Sequence, residues 1–449
     1  MSIFSIKYHR SLSCLLGFLA VSACSSPSND TAALSAKKQE LRIHGSNTIG
    51  EKLMPAMAIA YLESHAYHDI KTHQLGPVSK IITGINKTGK SQVSFIIEAH
   101  GSSTAFSSLS EGKTDLGMSS RRIKTEETEL LATKYPAQTK IQEHVIALDA
   151  LAIITHPDNP VTKISVQQLA QIFSGNIQRW SEIGGPDIPI GLYARDEQSG
   201  TWDTFQTLVL KPSKLDLSNN ATRFESSEAL AKEVLSNKGS IGFVGVAHQY
   251  GTKLLAIAKT DDAPYILPNK HTIGTESYAL SRRLFLYAPT DQATAVNATN
   301  LRENFLNYVA SNQGQKLAQT TGLISYYPTK DKPRISGADA SSRYRSLGAL
   351  GERLSVNFQI GERDLKSDSQ FLRDLERVNH YYHDKKIGKL VLALKDNADA
   401  PKTNQSALAA LQQLMNAQAL PIHEVVYMNN TPPPNTSTTS ETLVEVWTL

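Results

Sequence analysis

Cysteine is nearly absent: the 449 residues contain 2, Cys14 and Cys24, both close to the N-terminus. A disulfide framework is therefore excluded, and the folded part must be held by its own core, which a chain of this size can build. A strong excess of one charge is also missing. Lys and Arg number 46 against 42 Asp and Glu, a formal net charge of +4, so the chain is not a general binder of nucleic acid or other polyanions. Any anion site must be local, made from a few groups. No cysteine or histidine set has metal-ligand spacing, and no cofactor is expected.

The N-terminus carries Lys7, His9 and Arg10 without an acid, followed by the apolar run from Cys14 to Val21 and then Ser22-Ala23-Cys24. This is the pattern of a secretory signal, and the run is too short to span a membrane. Val21-Ser22-Ala23-Cys24 resembles the bacterial lipobox, which implies cleavage after residue 23 and acylation of Cys24. Loss of Lys7 and Arg10 would take the net charge from +4 to +2. Ser25 and Ser26, with no aspartate beside the acylated cysteine, resemble the sorting pattern of outer-membrane lipoproteins in Gram-negative cells. The expected location is thus a periplasm-facing lipoprotein, held to the membrane by its N-terminal lipid.

Length suggests two to three domains. Residues 24–39, rich in Ser, Ala, Asn and Asp, read as a tether. A second shift in composition over 331–351 reads as a linker, leaving 352–449 as a small separate domain with a Pro/Thr/Ser loop at 431–440.

One unit of strand, turn and helix recurs in the body. Leu41 to Ile43, the turn His44-Gly45-Ser46-Asn47-Thr48 and a helix over 49–64 form the first. Val93 to Ile97, the turn His100-Gly101-Ser102-Ser103-Thr104 and a helix opening over 105–110 form the second. Ile190 to Ala194, the turn Arg195-Asp196-Glu197-Gln198-Ser199-Gly200-Thr201 and a helix over 202–210 form the third. Each turn has glycine and hydroxyls, which are ordinary helix-capping residues. Three together, one starting on an arginine, point further. Helix starts expose unpaired N–H groups and partial positive charge, and a tetrahedral oxyanion is satisfied by donors converging from several elements. His44 and His100 read as local hydrogen-bonders outside the site.

In this order the turns resemble those of the phosphate-binding proteins that serve ABC transporters, members of the type II periplasmic-binding family. Thr114 to Arg121 also matches, as do Ile153 to Pro160, Ile172 to Gly175 with Trp180, Gly239 to Phe243, and Tyr278 to Arg283. These last stretches support the match without carrying chemistry. The resemblance covers about 40–330 and implies an α/β fold of two lobes, each a mixed sheet flanked by helices, with lobe one at 40–150 and 285–330 and lobe two at 151–284. The crossings are expected near 148–154 and 277–287, and the ligand in the hinged cleft between them. It further implies that Ser46, Asn47, Thr48, Ser102 and Ser103 donate from lobe one, and Arg195, Ser199, Gly200 and Thr201 from lobe two. Arg195 would supply a charged fork able to hold two oxygens at once.

One position departs from the best-known phosphate binders. Where they keep an aspartate that accepts the proton of hydrogen phosphate, this chain has Ser120, followed by Arg121. Ser120 would donate, and Arg121 would add positive charge if it points inward. Phosphate stays the first expectation, with sulfate or another oxyanion as the alternative. The implied partner is an ABC permease, although an outer-membrane location would suit scavenging or sensing. Two other classes stay open: a phosphatase-type enzyme on the same cradle, disfavoured because no base stands beside Ser46, Ser102 or Ser199, and an envelope scaffold.

Residues 352–449 resemble a drifted OmpA-like domain, α+β in class. Active members bind peptidoglycan through an aspartate after the second strand and an arginine on the next helix. Asp396 or Asp399 could supply the first, but 407–420 has no arginine, so contact with peptidoglycan is not expected.

Overall fold

The structure is a computed structural model that describes residues 37–89, 91–135, 139–197, 199–290, 296–361, 364–385, 388–395, 402–430 and 442–449. The signal segment, Cys24, the tether up to residue 36, the loop 431–440, and Gln198, Asp396 and Asp399 lie outside the described residues.

Two α/β lobes share one continuous path of hydrogen-bonded strands. In lobe one the strand Lys37–Gly45 runs parallel to both Ser91–Glu98 and Leu116–Ser119, and Tyr67–Gly76 and Ser79–Asn86 extend the sheet antiparallel beyond Ser91–Glu98. In lobe two Ser240–Gly245 lies parallel to Gly191–Arg195, which pairs with Thr222–Phe224. The lobes are joined by Ile141–Thr155, a strand of 15 residues. Its first part pairs with Ser281–Pro289 and its end, from Leu151, with Ser240–Gly245. The crossing segments are therefore these two antiparallel strands. Ile146 to Ile154, apart from Asp149, and Leu284 to Pro289 are apolar and buried because both faces are covered there.

The helix expected from 49 begins with a wide turn, Ile49–Leu53, in which the Met54 N–H donates to the Ile49 carbonyl. Regular helix runs from Met54 to Ser64. Pro55 has no N–H to give to the preceding turn, which explains the local widening. In lobe one Leu41, Phe95, Met57 and Phe305 are buried together. Lobe two is centred on aromatic rings, with Phe205 and Phe243 stacked at 4.0 Å and Phe173 edge-on to Phe205. Along the crossing strand Ile141–Thr155 the two cores adjoin, Ile146 and Ala147 in one and Leu148 and Ala150 in the other.

The stretch 331–351, expected to be a linker, is corrected by the structure. Lys330–Asp331 pairs with Leu354 and Arg353, and Ser342–Leu350 is a helix capped by Ser341. Tyr344 and Leu347 are buried with Trp447. Apolar side chains spaced along a polar segment gave this helix a face to bury. The strand belongs to the C-terminal sheet, whose order is Lys330–Asp331, Glu352–Ile360, Thr442–Thr448, Leu390–Leu394, Ile422–Tyr427, and the helix packs on one face of it. Helices Ser369–Lys385 and Lys402–Ala417 cover its other face.

This domain docks on the outer side of the hinge. Arg283, on the return strand, donates to Glu276 and reaches Asp374 of the C-terminal domain at 3.3 Å. Arg377 donates to the same Asp374 oxygen at 2.8 Å and to the Tyr326 carbonyl at 2.6 Å. Arg283, Asp374 and Arg377 are all buried. Burial pushes the Asp374 carboxyl up, and the two guanidiniums oppose that shift. Removing one member of such a cluster leaves charge buried without a partner. The substitution Asp374→Ala is expected to cost about 3 kcal/mol, read as a lower melting temperature and faster proteolytic separation of the C-terminal domain. An unchanged melting temperature would show the cluster to be neutral.

Candidate functional site

The first turn is shaped by Gly45, whose φ of +136° and closeness to the Met118 carbonyl leave no room for a Cβ. Ser46 donates its N–H to that carbonyl at 2.9 Å, and the Gly101 N–H donates to the Gly45 carbonyl at 2.8 Å. The first and second turns are thus stitched together. The second helix begins at Ser102, and the third is the short helix Gly200–Phe205, where Ser199 Oγ accepts the Thr201 N–H. A wide turn over Gln206–Leu210 continues it.

These turns meet across the cleft. Ser102 Oγ accepts the Ser120 N–H at 3.0 Å, and the two hydroxyls are 3.1 Å apart. Gly200 of the opposite lobe presses on them: a Cβ there would lie 2.4 Å from Ser120 Oγ, 3.4 Å from Ser102 Oγ and 3.5 Å from Ser46 Oγ. Beside this contact is a cavity of about 30 Å³ lined from both lobes, with Asn47, Thr48, Arg195, Ser199 and Thr201 among its walls. A cavity of that size has room for little more than water, and with Gly200 against the serines the two lobes are in contact. Ser46 Oγ and Asn47 Oδ1 are buried there without a hydrogen-bond partner.

Arg195 ends the strand Gly191–Arg195 and is 8% exposed. Its Nε donates to the Phe224 carbonyl, Nη1 to Ser227 Oγ and Nη2 to the Glu225 carbonyl, at 3.2, 2.5 and 2.7 Å. Three of its five N–H donors are used within its own lobe, and the nearest carboxylate, Asp196, stands 3.7 Å away. Burial pushes this guanidinium down from its ordinary range, opposed by Asp196 and Glu51. A cation in that position is stabilised by an anion placed in the cleft.

Two expected site residues are corrected. Arg121 does not bring free charge inward: it is paired with Glu127 at 2.6 Å and with Asp203 of the other lobe. Burial works against its charge, but the bonds to Glu127 and Asp203 raise its pKa overall. Ser103 is exposed and accepts from Arg121 Nη2 at 3.1 Å, away from the buried hydroxyls. Arg121 thus makes a rim contact between the lobes, with Ser103 beside it in lobe one.

Two residues that the motifs did not single out belong to the site. Asp149 and Arg282 form a buried pair on the crossing strands, with Arg282 Nη2 2.6 Å from Asp149 Oδ2. Arg282 also donates to the Gly200 carbonyl and Thr204 Oγ1, and reaches Thr48 Oγ1 at 3.2 Å and Thr201 Oγ1 at 3.4 Å. The stretch Tyr278 to Arg283, expected to carry no chemistry, therefore carries a cation of the cleft. The available signal was a charged residue inside an apolar strand, as in Ile146-Ala147-Leu148-Asp149-Ala150-Leu151.

Among the described residues no group of three or more His, Cys, Asp or Glu side chains could hold a metal ion. No helix among them is long and apolar enough to cross a membrane. The arrangement is a closed cradle of hydroxyls, helix-start N–H groups and two guanidiniums between two lobes, the form of a hinged anion-binding protein.

A family model described as PBP superfamily domain matches residues 74–313. The chain belongs to the PBP superfamily. It is 31% identical over 245 residues to the phosphate-binding protein PstS of Pseudomonas aeruginosa, covering 52% of this chain and 74% of that protein. It is 28% identical over 313 residues to protein SphX of Synechocystis, covering 66% and 87%. The crystal structure of an ABC-type phosphate transport receptor from Vibrio cholerae, 23% identical, aligns with 63% of this chain and 99% of that one at a TM-score of 0.49.

A methyl group at residue 200 would strike the Ser120 hydroxyl, so the lobes of Gly200→Ala are expected to stay apart. Small-angle scattering should then give a larger radius of gyration than for the unmodified chain with ligand. Equal radii would show that the contact does not govern closure.

Proposed function

We propose that this chain is a substrate-binding protein that captures inorganic phosphate between its lobes for ABC-type uptake, scavenging or sensing. The observation that carries the reading is the convergence on one small cavity of Asn47 and Thr48 from lobe one with Arg195, Ser199 and Thr201 from lobe two. Ser46, Ser102 and Ser120 stand directly beside it, against Gly200. A tetrahedral oxyanion suits this set because neutral donors and a guanidinium approach it from different sides. The PstS relative, named for phosphate binding, supports the choice of ion. The role is capture without turnover: among the described residues Ser46, Ser102 and Ser199 have no hydrogen bond to a histidine or carboxylate that could act as base.

Calorimetry of the full-length protein with phosphate, sulfate, arsenate and molybdate tests the reading. Phosphate is expected to bind more tightly than sulfate, and Arg195→Ala to weaken it by about a hundredfold or more, the loss expected for one partner of a buried charged pair. Sulfate binding as tightly, or absence of phosphate binding, would overturn it.

The proposal includes acylation of Cys24 and attachment to the outer membrane. Cys24→Ser is expected to move the protein from the membrane to the released fraction on cell fractionation, and retention in the membrane would refute the anchor. The C-terminal domain is read as a degenerate OmpA-like module, supported by its alternating strands and helices from Glu352 to Tyr427. Peptidoglycan binding forms no part of the proposal.

A further inference from the structure

An acid is costly where Asp149 sits. It is 1% exposed, flanked by Leu148 and Ala150, at the point where Ile141–Thr155 passes from one lobe to the other. One oxygen, Oδ2, accepts from Arg282 Nε at 2.9 Å and Nη2 at 2.6 Å. The other, Oδ1, is buried and has no hydrogen-bond partner, and Asp149 lines the cleft cavity. A buried acceptor left unmet costs free energy unless a donor reaches it.

The space before this carboxylate is kept by Gly245, where a Cβ would lie 3.7 Å from Oδ2 and 3.9 Å from Oδ1. Arg282, which fixes the carboxylate, also reaches Thr48 Oγ1 and Thr201 Oγ1, one hydroxyl from each lobe. The free oxygen therefore stands beside the donors that would hold the anion. Of the other charged groups lining the cavity, Glu51 and Lys52 are exposed and Arg195 is bound to its own lobe. Asn47 Oδ1 also lacks a partner, but an amide can turn its NH₂ toward an anion and so does not discriminate between anions. Ser120 already bonds Ser102 and the Gly200 carbonyl.

A carboxylate acceptor facing the ligand admits an anion oxygen that bears a proton and repels one that does not. Phosphate carries such a proton near neutral pH and sulfate does not. We propose that Asp149 Oδ1 reads the proton of bound phosphate, replacing the aspartate missing at position 120, and that Arg282 is the residue that positions it. This rests on the phosphate reading above.

The test is calorimetry of the full-length chain with phosphate, sulfate and monofluorophosphate, whose fluorine stands where hydrogen phosphate has its hydroxyl. The unmodified protein is expected to prefer phosphate to both by about a hundredfold or more, as sites built around a ligand hydroxyl do. Asp149→Asn is expected to bring that ratio below about tenfold. Because this variant leaves Arg282 unpaired, Gly245→Ala is measured beside it. Its backbone, at φ −64°, accepts alanine, and the methyl group should weaken phosphate by about tenfold by filling the space before the carboxylate. Discrimination that survives Asp149→Asn, or unchanged phosphate affinity in Gly245→Ala, would overturn the assignment while leaving phosphate capture intact. A protein that binds no phosphate at all would instead remove the reading on which it rests.

Discussion

Adjacent residues on a strand point to opposite faces, and the return strand Ser281–Pro289 uses this to place an arginine on each side of the hinge. Arg282 turns into the cleft and Arg283 turns toward the C-terminal domain. Neither charge can be left alone at that depth, since an unpartnered buried ion costs several kcal/mol. Asp149 meets the first, and Glu276 with Asp374 meets the second. Much of the remaining geometry follows from satisfying Arg282. Its other donors fix the carbonyl of Gly200 and reach hydroxyls of Thr48, Thr201 and Thr204, so one guanidinium gathers residues from both lobes around the cavity.

Closure has two further parts of different character. At the centre Gly200 meets three serine hydroxyls of lobe one, a contact that only a residue without a side chain allows. At the rim Arg121 joins Glu127 of its own lobe to Asp203 of the other, with Lys124 3.7 Å from the same aspartate. The central contact is one of shape, and the rim contact is one of charge. Arg195 belongs to neither. It is held by carbonyls and a serine of its own lobe, and among the described residues no carboxylate is closer than 3.7 Å. Its burial is therefore the electrostatic cost that an anion in the cleft offsets.

The three turns were legible in the sequence because capping and turn chemistry is local: Gly45-Ser46, Gly101-Ser102 and Ser199-Gly200 announce themselves within a few residues. The two-lobed fold was legible from their order. What could not be read was pairing over distance. Arg121 stands beside Ser120 in the chain, but its direction is set by Asp203, 82 residues away. Asp149 and Arg282 are separated by 133 residues, and each lies in an apolar stretch that reads as core. The segment 331–351 failed for another reason. Its charged residues and serines read as solvent-exposed linker, while Tyr344 and Leu347, which decide its fate, are two residues in a polar run.

The C-terminal domain touches both lobes, and the contacts are unequal. Toward lobe two its buried Asp374 meets buried Arg283, which half-buried Glu276 also pairs, and Gly274 packs so closely on Ser355 that a Cβ would come within 2.8 Å of it. Toward lobe one buried Arg377 donates to the Tyr326 carbonyl at 2.6 Å and His380 stacks on Tyr327 at 4.0 Å, while Asn312 meets Asp384 in an exposed hydrogen bond. Exposed pairs contribute about 0–1 kcal/mol, whereas breaking a buried one costs several. If the lobes part about the crossing strands, the exposed contacts yield first. Buried contacts to Arg283 on one side and to Tyr326 on the other thus hold this domain at the crossing strands.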